Sequence, residues 1–274
     1  MTSPSSSEGA IVPGGSPRPL WVRTLLVGLV AGFLSGIFGV GGGILIVPAL
    51  VMALHFDQRL AHGTSLAAVL PIALSSMISY ATADKIDWAV ALFLAIGAVC
   101  GAVIGTHILH RLPHDALAIA FALVLIATAV RLLIDNSEAT GRNDLSVLLA
   151  AILVGVGLLT GILAGLLGVG GGIVMVPAMV VGFGIPAAIA KGTSLVVIIP
   201  TSLMGTWRNR KKKNADLRAA AIVGLAGVVS AFVAGKISVG MSETLSNTLF
   251  AILLLVVSAR MVLQLVNERR RAAA

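Results

Sequence analysis

Charge is scarce in this sequence. Only 11% of the 274 residues are Asp, Glu, Lys or Arg, 58% are hydrophobic, and the mean hydropathy is +1.05. A soluble domain carries about 25% charged residues, because polar side chains must cover its surface. The uncharged runs 24–54 and 145–190 exceed the roughly 18 apolar residues that indicate a membrane-spanning helix. Composition therefore excludes an ordinary cytosolic enzyme and predicts an all-α integral membrane protein whose partner is the lipid bilayer.

Cysteine and several catalytic motifs are also missing. Cys100 is the single cysteine, so the chain has neither a disulfide framework nor a CxxC metal site. No Asp or Glu stands in the middle of a hydrophobic segment, which argues against a relay of intramembrane carboxylates. The sequence contains no ATP-binding motif, no HExxH and no GxSxG. We therefore expect no catalytic residue, no cofactor and no resident metal.

Basic residues give the chain a formal net charge of +8. Many of them lie in two clusters, one within 208–218 and the other at 269–271. Basic clusters beside hydrophobic segments stay on the cytoplasmic side of a membrane. We therefore predict that both termini are cytoplasmic and that nucleic acid is not a partner.

The chain contains one unit twice. A shift of 129 residues aligns 24–71 with 153–200, and 22 of these 48 positions are identical. Both copies carry Gly-x-x-Gly-Val-Gly-Gly-Gly-Ile, then Val-Pro-Ala, then Gly-Thr-Ser-Leu. We predict two tandem four-segment repeats with about eight hydrophobic segments. The predicted units are a disordered cytoplasmic tail (1–21), repeat 1 (22–134), a linker (135–145), repeat 2 (146–266) and a basic C-terminal tail (267–274).

The segment that opens each repeat is too long for one crossing and too rich in glycine for one helix. About 20 helical residues cross the hydrocarbon, and four glycines in five positions disfavour a helix. We predict two shorter helices joined by unwound backbone, so that the opening segment is either broken or re-entrant. A full crossing gives eight spans and parallel repeats, whereas a re-entrant hairpin gives inverted repeats. The distribution of Lys and Arg is compatible with both topologies.

Three further glycine stripes have a spacing of four residues, within 28–36, 97–105 and 157–165. Small residues at this spacing let helices approach closely in lipid. We interpret these stripes as helix-packing surfaces.

The paired glycine loops are the strongest candidate for a functional site. Matched breaks in two repeats are typical of the midplane substrate site of a transporter. The helix that follows each break offers unpaired N–H groups and a positive dipole end to an anion. The Gly-Thr-Ser hydroxyls either donate to the same anion or cap the helices that they begin. The predicted substrate-binding residues are Gly39, Gly41, Gly42, Gly43, Thr64, Ser65, Gly168, Gly170, Gly171, Gly172, Thr193 and Ser194, with His62 and Lys191 as cationic neighbours.

Histidines support a second hypothesis. His107, His110 and His114 have spacings suited to one face of a helix, although Pro113 interrupts that geometry. A cation or metal transporter that uses them together with His62 is therefore the alternative. A membrane enzyme, or a membrane assembly subunit without transport activity, is the third hypothesis.

A duplicated membrane protein with GxxGxGGGxxxVP opening each half and GTS downstream resembles the sulfite exporter TauE/SafE family over residues 22–266. The resemblance implies a multi-pass permease of the bacterial inner membrane that exports sulfite or a related sulfur-containing anion. It also implies that the glycine loops and the Thr-Ser pairs line the pathway. We therefore expect a small anionic substrate, alternating access between the repeats, and an architecture compatible with a homo-oligomer.

Overall fold

Helices form most of the described part of the chain, which comprises residues 20–108, 114–134, 146–167, 170–211 and 213–273 of the computed structural model. The predicted linker and nearly all of the predicted N-terminal tail lie outside these residues. In chain order the helices are α1 (Leu20–Phe38), α2 (Gly43–Leu54), α3 (Gln58–Ala81), α4 (Trp88–Ile108), α5 (His114–Ile134), α6 (Val147–Leu167), α7 (Gly172–Pro177) with a π-helical continuation (Ala178–Gly182), α8 (Ala187–Lys211), α9 (Leu217–Gly240) and α10 (Glu243–Ala273).

Six helices among the described residues are long and apolar enough to cross a membrane, namely α1, α3, α6, α8, α9 and α10. Helices α4 and α5 have 21 residues each, and their described stretches are apolar. The 12 residues of α2 extend roughly 18 Å, which is less than the roughly 30 Å of a hydrocarbon core. The prediction of an all-α membrane protein is confirmed, and α2 and α7 are partial spans.

Glycine brings α1 into backbone contact with α9. A Cβ on Gly28 would collide with the carbonyl oxygen of Val223, and one on Gly36, two turns further on, would collide with that of Ala231. Only glycine permits this approach, because it lacks a Cβ. The contacts advance in the same direction along both helices, so α1 and α9 run parallel.

Glycine also brings α6 into backbone contact with α4. A Cβ on Gly157 of α6 would collide with the carbonyl oxygen of Leu94, and one on Gly161 with that of Ala98. These helices also run parallel. The interpretation of the glycine stripes as packing surfaces is confirmed for these two helix pairs.

Further contacts fix the direction of α3 and α8. Ser75 and Ser79 of α3 donate hydrogen bonds to the carbonyl oxygens of Val228 and Phe232 in α9, at 2.7 and 3.0 Å. Helix α3 is therefore parallel to α9 and α1. Near the start of α3, Leu66 packs on Gly205, which lies near the end of α8, so α8 runs antiparallel to α3.

These directions define two ends of the molecule. The last turn of α8 carries Arg208, Arg210 and Lys211, and α1, α3 and α9 all begin at that end, which we call the basic end. Helices α8 and α4 begin at the opposite end, where Gly192 packs on the carbonyl oxygen of Lys85. Helix α6 also begins there, because it runs parallel to α4.

After each break the chain turns back on the helix that precedes it. A Cβ on Gly42 would lie 2.6 Å from the carbonyl oxygen of Ala31, in the middle of α1, and one on Gly171 would lie 3.1 Å from the Cβ of Ala164 in α6. Helix α2 then shares a buried apolar cluster with Val27 of α1. Each opening segment is therefore a hairpin, in which the second helix returns toward the end where the first began.

We predict that Gly161→Ala destabilises the protein and that Gly155→Ala does not. The new methyl group at 161 would collide with backbone of α4, whereas a Cβ at Gly155, on the same helix, meets nothing within 4 Å. Overpacking costs on the order of 1–3 kcal/mol, and alanine favours an open helical position by about 1 kcal/mol. Thermal unfolding of both variants in detergent measures this, and equal melting temperatures would contradict the packing described.

Candidate functional site

The glycine loops adopt backbone conformations that side chains disfavour. Gly39, Gly41 and Gly42 have φ angles of 67°, 76° and 72°, and Gly170 and Gly171 have φ angles of 82° and 81°. An L-residue with a Cβ is strained in this left-handed region, so glycine is required at these positions. Gly168, which was also predicted to belong to the site, lies outside the described residues.

The two loops meet each other in the interior. A Cβ on Gly41 would lie 3.1 Å from Cγ1 of Val69 and 3.2 Å from Cδ1 of Ile198, and one on Gly170 would lie 3.3 Å from Cγ2 of Ile198. A Cβ on Gly172 would lie 2.9 Å from the Cα of Val40, in the other loop. We call this meeting point, formed by 39–43 and 170–172, the glycine crossing.

Two apolar side chains stand between the loops. Val69 of α3 and Ile198 of α8 are both fully buried, and each contacts both glycine loops. Sequence reasoning did not select them, although the 129-residue shift places Val69 opposite Ile198. Both are apolar and belong to no functional motif, so only the alignment of the two repeats could have indicated them.

Hydroxyl groups hold the backbone at the break after α1. Ser194 Oγ donates to the carbonyl oxygen of Gly39 and also to that of Lys191. The hydroxyl of Tyr80, which is fully buried, lies 2.9 Å from the carbonyl oxygen of Gly36 and 2.9 Å from Ser238 Oγ. The bonds to Gly36 and Gly39 satisfy carbonyl groups at the end of α1 that lack an intrahelical partner.

The Gly-Thr-Ser threonines bind backbone of the other half of the chain. Thr64 Oγ1 accepts from the N–H of Asp216 at 2.9 Å, and Thr193 Oγ1 accepts from the N–H of Asp87 at 3.0 Å. The capping alternative is wrong for Thr64, because Asp57 is the N-cap of α3 and accepts from the backbone of that helix. The threonines instead fasten α3 to the start of α9 and α8 to the start of α4.

The glycines of the same motif explain why this contact is so close. A Cβ on Gly63 would collide with the carbonyl oxygen of Asn214, and one on Gly192 with that of Lys85. Ser65 is buried beside Thr64, and His62 is half-buried on α3. The structure therefore places both Gly-Thr-Ser motifs at contacts between the two halves, and Ser194 also reaches the first glycine loop through its hydrogen bond to Gly39.

Lys191 is fully buried. Its backbone packs against Gly39, where a Cβ would lie 2.6 Å from the Lys191 carbonyl oxygen. Its Nζ donates to Ser246 Oγ at 2.7 Å and lies 5.1 Å from the ring centroid of Phe250 and 6.0 Å from that of Phe38. None of these contacts carries a negative charge. An ammonium group at this position would favour a nearby anion.

A cavity of about 280 Å³ lies next to this lysine, toward the end of the molecule opposite the basic end. Its polar lining includes Lys85, Ser238, Glu243, Ser246 and Asn247. Ser246 is also the hydrogen-bond partner of Lys191. The side chain of Ser246 thus lines the cavity and also contacts the buried amine of Lys191.

The histidine hypothesis receives no support within the described residues. No group of three His, Cys, Asp or Glu side chains that could hold a metal ion is found among them. The side chains of His107, His110 and His114 lie outside the described part of the chain, so that cluster stays a prediction.

Comparison with known proteins identifies the family. The sequence profile of the sulfite exporter TauE/SafE family matches residues 5–132 and 152–274, one match in each half. The chain belongs to the sulfite exporter TauE/SafE family. The expectation raised by the paired glycine and Gly-Thr-Ser motifs is therefore confirmed, and the protein is an integral membrane transporter of the TauE/SafE family.

Several relatives carry a transporter name. The chain is 25% identical over 271 residues to the probable membrane transporter protein YunE of Bacillus subtilis, covering 90% of this chain and 98% of that protein. It is 31% identical over 189 residues to a probable membrane transporter protein of Methanocaldococcus jannaschii, covering 66% of this chain and 69% of that protein. No solved structure matches the TauE/SafE chain described here.

We predict that Thr64→Val lowers the melting temperature and that Thr64→Ser does not. Thr64 is fully buried, and valine removes its acceptor for the N–H of the half-buried Asp216. An unsatisfied buried donor costs about 1–3 kcal/mol. Serine keeps the oxygen. Thermal unfolding and hydrogen exchange at the start of α9 measure the effect, and equal protection in the two variants would contradict the fastening role of Thr64.

Proposed function

We propose that this protein is a bacterial inner-membrane permease that exports a small sulfur-containing anion, sulfite or an organosulfonate. The anion binds at the glycine crossing, and the two halves of the chain move against each other to alternate access. Both termini face the cytoplasm, together with the basic end.

One observation carries the proposal: the two glycine breaks meet. Unwound backbone at membrane depth is tolerated only where protein or a watery cavity surrounds it, and paired breaks mark the midplane site in transporters built from repeats. Gly42 and Gly171 are the N-caps of α2 and α7, and neither cap has a side-chain hydrogen bond. Gly42 therefore supplies no side-chain oxygen to the first-turn N–H groups of α2, and an anion is a natural partner for N–H groups at a helix start.

Charge supports an anion over a cation. The backbone of Lys191 packs against Gly39, and its amine lies 6.0 Å from the ring centroid of Phe38, the residue before Gly39. The described aspartates at 57, 87 and 216 accept backbone N–H groups at helix starts, and Glu243 opens α10. The acidic side chains are thus at the ends of helices, whereas a cationic side chain is enclosed beside the crossing.

Helix directions support alternating access between inverted repeats. Helix α1 begins at the basic end and α6 at the opposite end, so the two halves run through the membrane in opposite senses. The same 129-residue shift relates the two hydrogen bonds that join the halves, Thr64–Asp216 and Thr193–Asp87. Val69 and Ile198 close the space between the loops, as expected for an occluded state. A rocking motion that parts them toward one end would open the site to one side.

Flux measurements test the proposal. Proteoliposomes that contain the wild-type chain should transport sulfite, and Gly170→Ala should abolish the flux because its methyl group would press on Ile198 at 3.3 Å. Gly184→Ala is the matched control, because Gly184 also has a positive φ, of 63°, but a Cβ there meets nothing within 4 Å. Both variants carry the left-handed strain of roughly 1–2 kcal/mol, so only the crossing distinguishes them.

Two outcomes would contradict this account. If the wild-type protein carries neither sulfite nor a small sulfonate, the assigned substrate class is wrong. If Gly170→Ala and Gly184→Ala retain equal flux, the crossing is not the transport site.

We predict that Lys191→Met reduces sulfite flux at least tenfold, while Lys236→Met leaves it unchanged. Methionine fills the space of the buried lysine but removes its charge, whereas Lys236 is exposed and donates to Thr82. Burying an unpaired ammonium group is costly, so the melting temperature of Lys191→Met should not fall. A variant with full flux would show that the buried charge has no part in attracting the anion.

A further inference from the structure

The hydroxyl group of Ser202 lies at the glycine crossing without a hydrogen-bond partner. Ser202 follows Ile198 by one turn of α8, and its side chain is fully buried. Its Oγ is 3.6 Å from the position that a Cβ on Gly170 would occupy. Within the described residues this Oγ has no hydrogen-bond partner.

The two hydroxyl groups that precede Ser202 on α8 are satisfied. Thr201 Oγ1 donates to the carbonyl oxygens of Val197 and Ile198, each at 2.9 Å, and Ser194 Oγ donates to backbone carbonyls. Serine in a helix can satisfy itself in this way through the preceding turn. The oxygen of Ser202 instead lies on the side of the glycine loop, where it makes no hydrogen bond that would stabilise the fold.

A buried hydroxyl without a partner destabilises a protein, so such groups are uncommon and call for an explanation. The aligned position in the first half is Ala73, which is also fully buried, so an apolar residue fits this place in the architecture. One turn after Ser202, Thr206 Oγ1 is likewise buried without a partner among the described residues. Two such hydroxyls at a spacing of four residues share one face of α8 that leads from the crossing toward the basic end.

We propose that Ser202 is a substrate-contacting residue whose hydroxyl donates a hydrogen bond to an oxygen of the transported anion. The ligand class is a small oxyanion, and Thr206 is the next donor on its way to the basic end. This inference rests on the proposed transport function and adds the side chain that recognises the oxyanion group. Serine suits this role because its rotatable O–H donates without adding a charge to be desolvated.

Sulfite binding to the purified full-length chain tests the inference. Ser202→Ala should weaken sulfite binding about tenfold, the order of effect that one hydrogen bond to a charged group has. Its melting temperature without sulfite should equal or exceed that of the wild type, because the variant removes an unsatisfied buried group. Thr201→Val is the matched control, since it removes a neighbouring buried hydroxyl that its own helix already satisfies, and it should bind sulfite within twofold of the wild type.

The outcomes separate this inference from the proposed function. Sulfite binding by the wild type with unchanged affinity in Ser202→Ala overturns the role of Ser202 alone. A fall in the melting temperature of ligand-free Ser202→Ala also overturns it, because the hydroxyl would then serve the fold. A wild-type protein that binds and transports neither sulfite nor methanesulfonate overturns both.

A second variant, Ser202→Cys, keeps the size of the side chain but donates a hydrogen bond weakly. It should bind sulfite with an affinity between those of the wild type and Ser202→Ala. Wild-type affinity would count against the inference.

Discussion

Unwound backbone inside a membrane has to be sealed by protein, because lipid offers its N–H and C=O groups no partner. Much of this molecule follows from that requirement. At the break after α1, Tyr80 and Ser194 supply hydroxyl groups to carbonyl oxygens of Gly36 and Gly39. Helix α9 can cover α1 because glycines let the two backbones touch. The cross-fastening by Thr64 and Thr193 then holds the covering helices in place.

The same requirement shapes the chemistry available to the site. Hydroxyl groups and close helix contacts surround the unwound backbone, so little space is left for ionisable side chains. Lys191 is the exception beside the crossing. Its amine is enclosed by Ser246 and two aromatic rings, and no carboxylate is among these contacts.

Much of the fold and part of the site could be predicted from the sequence. The glycine breaks, the duplication and the packing stripes are local patterns, so the sequence shows them directly. The distribution of Lys and Arg is compatible with both parallel and inverted repeats, so it does not determine the topology. The contact of Gly42 with Ala31 shows that the opening segment of the first repeat forms a hairpin. Val69 and Ser202 were missed because their importance comes only from partners distant in sequence. The sequence indicated the Gly-Thr-Ser threonines as substrate ligands, which stays a prediction. Their bonds to the backbone of Asp87 and Asp216 depend on how the two halves pack together.

The central claim is that the glycine crossing holds the transported anion. Selenite, a heavier analogue of sulfite, would reveal its position by anomalous scattering from crystals of the full-length protein. The account predicts a peak within hydrogen-bond distance of Ser202 Oγ and of backbone N–H groups at 41–44 or 170–173. A peak found solely in the cavity beside Ser246, or no bound selenite at concentrations that inhibit sulfite flux, would contradict it.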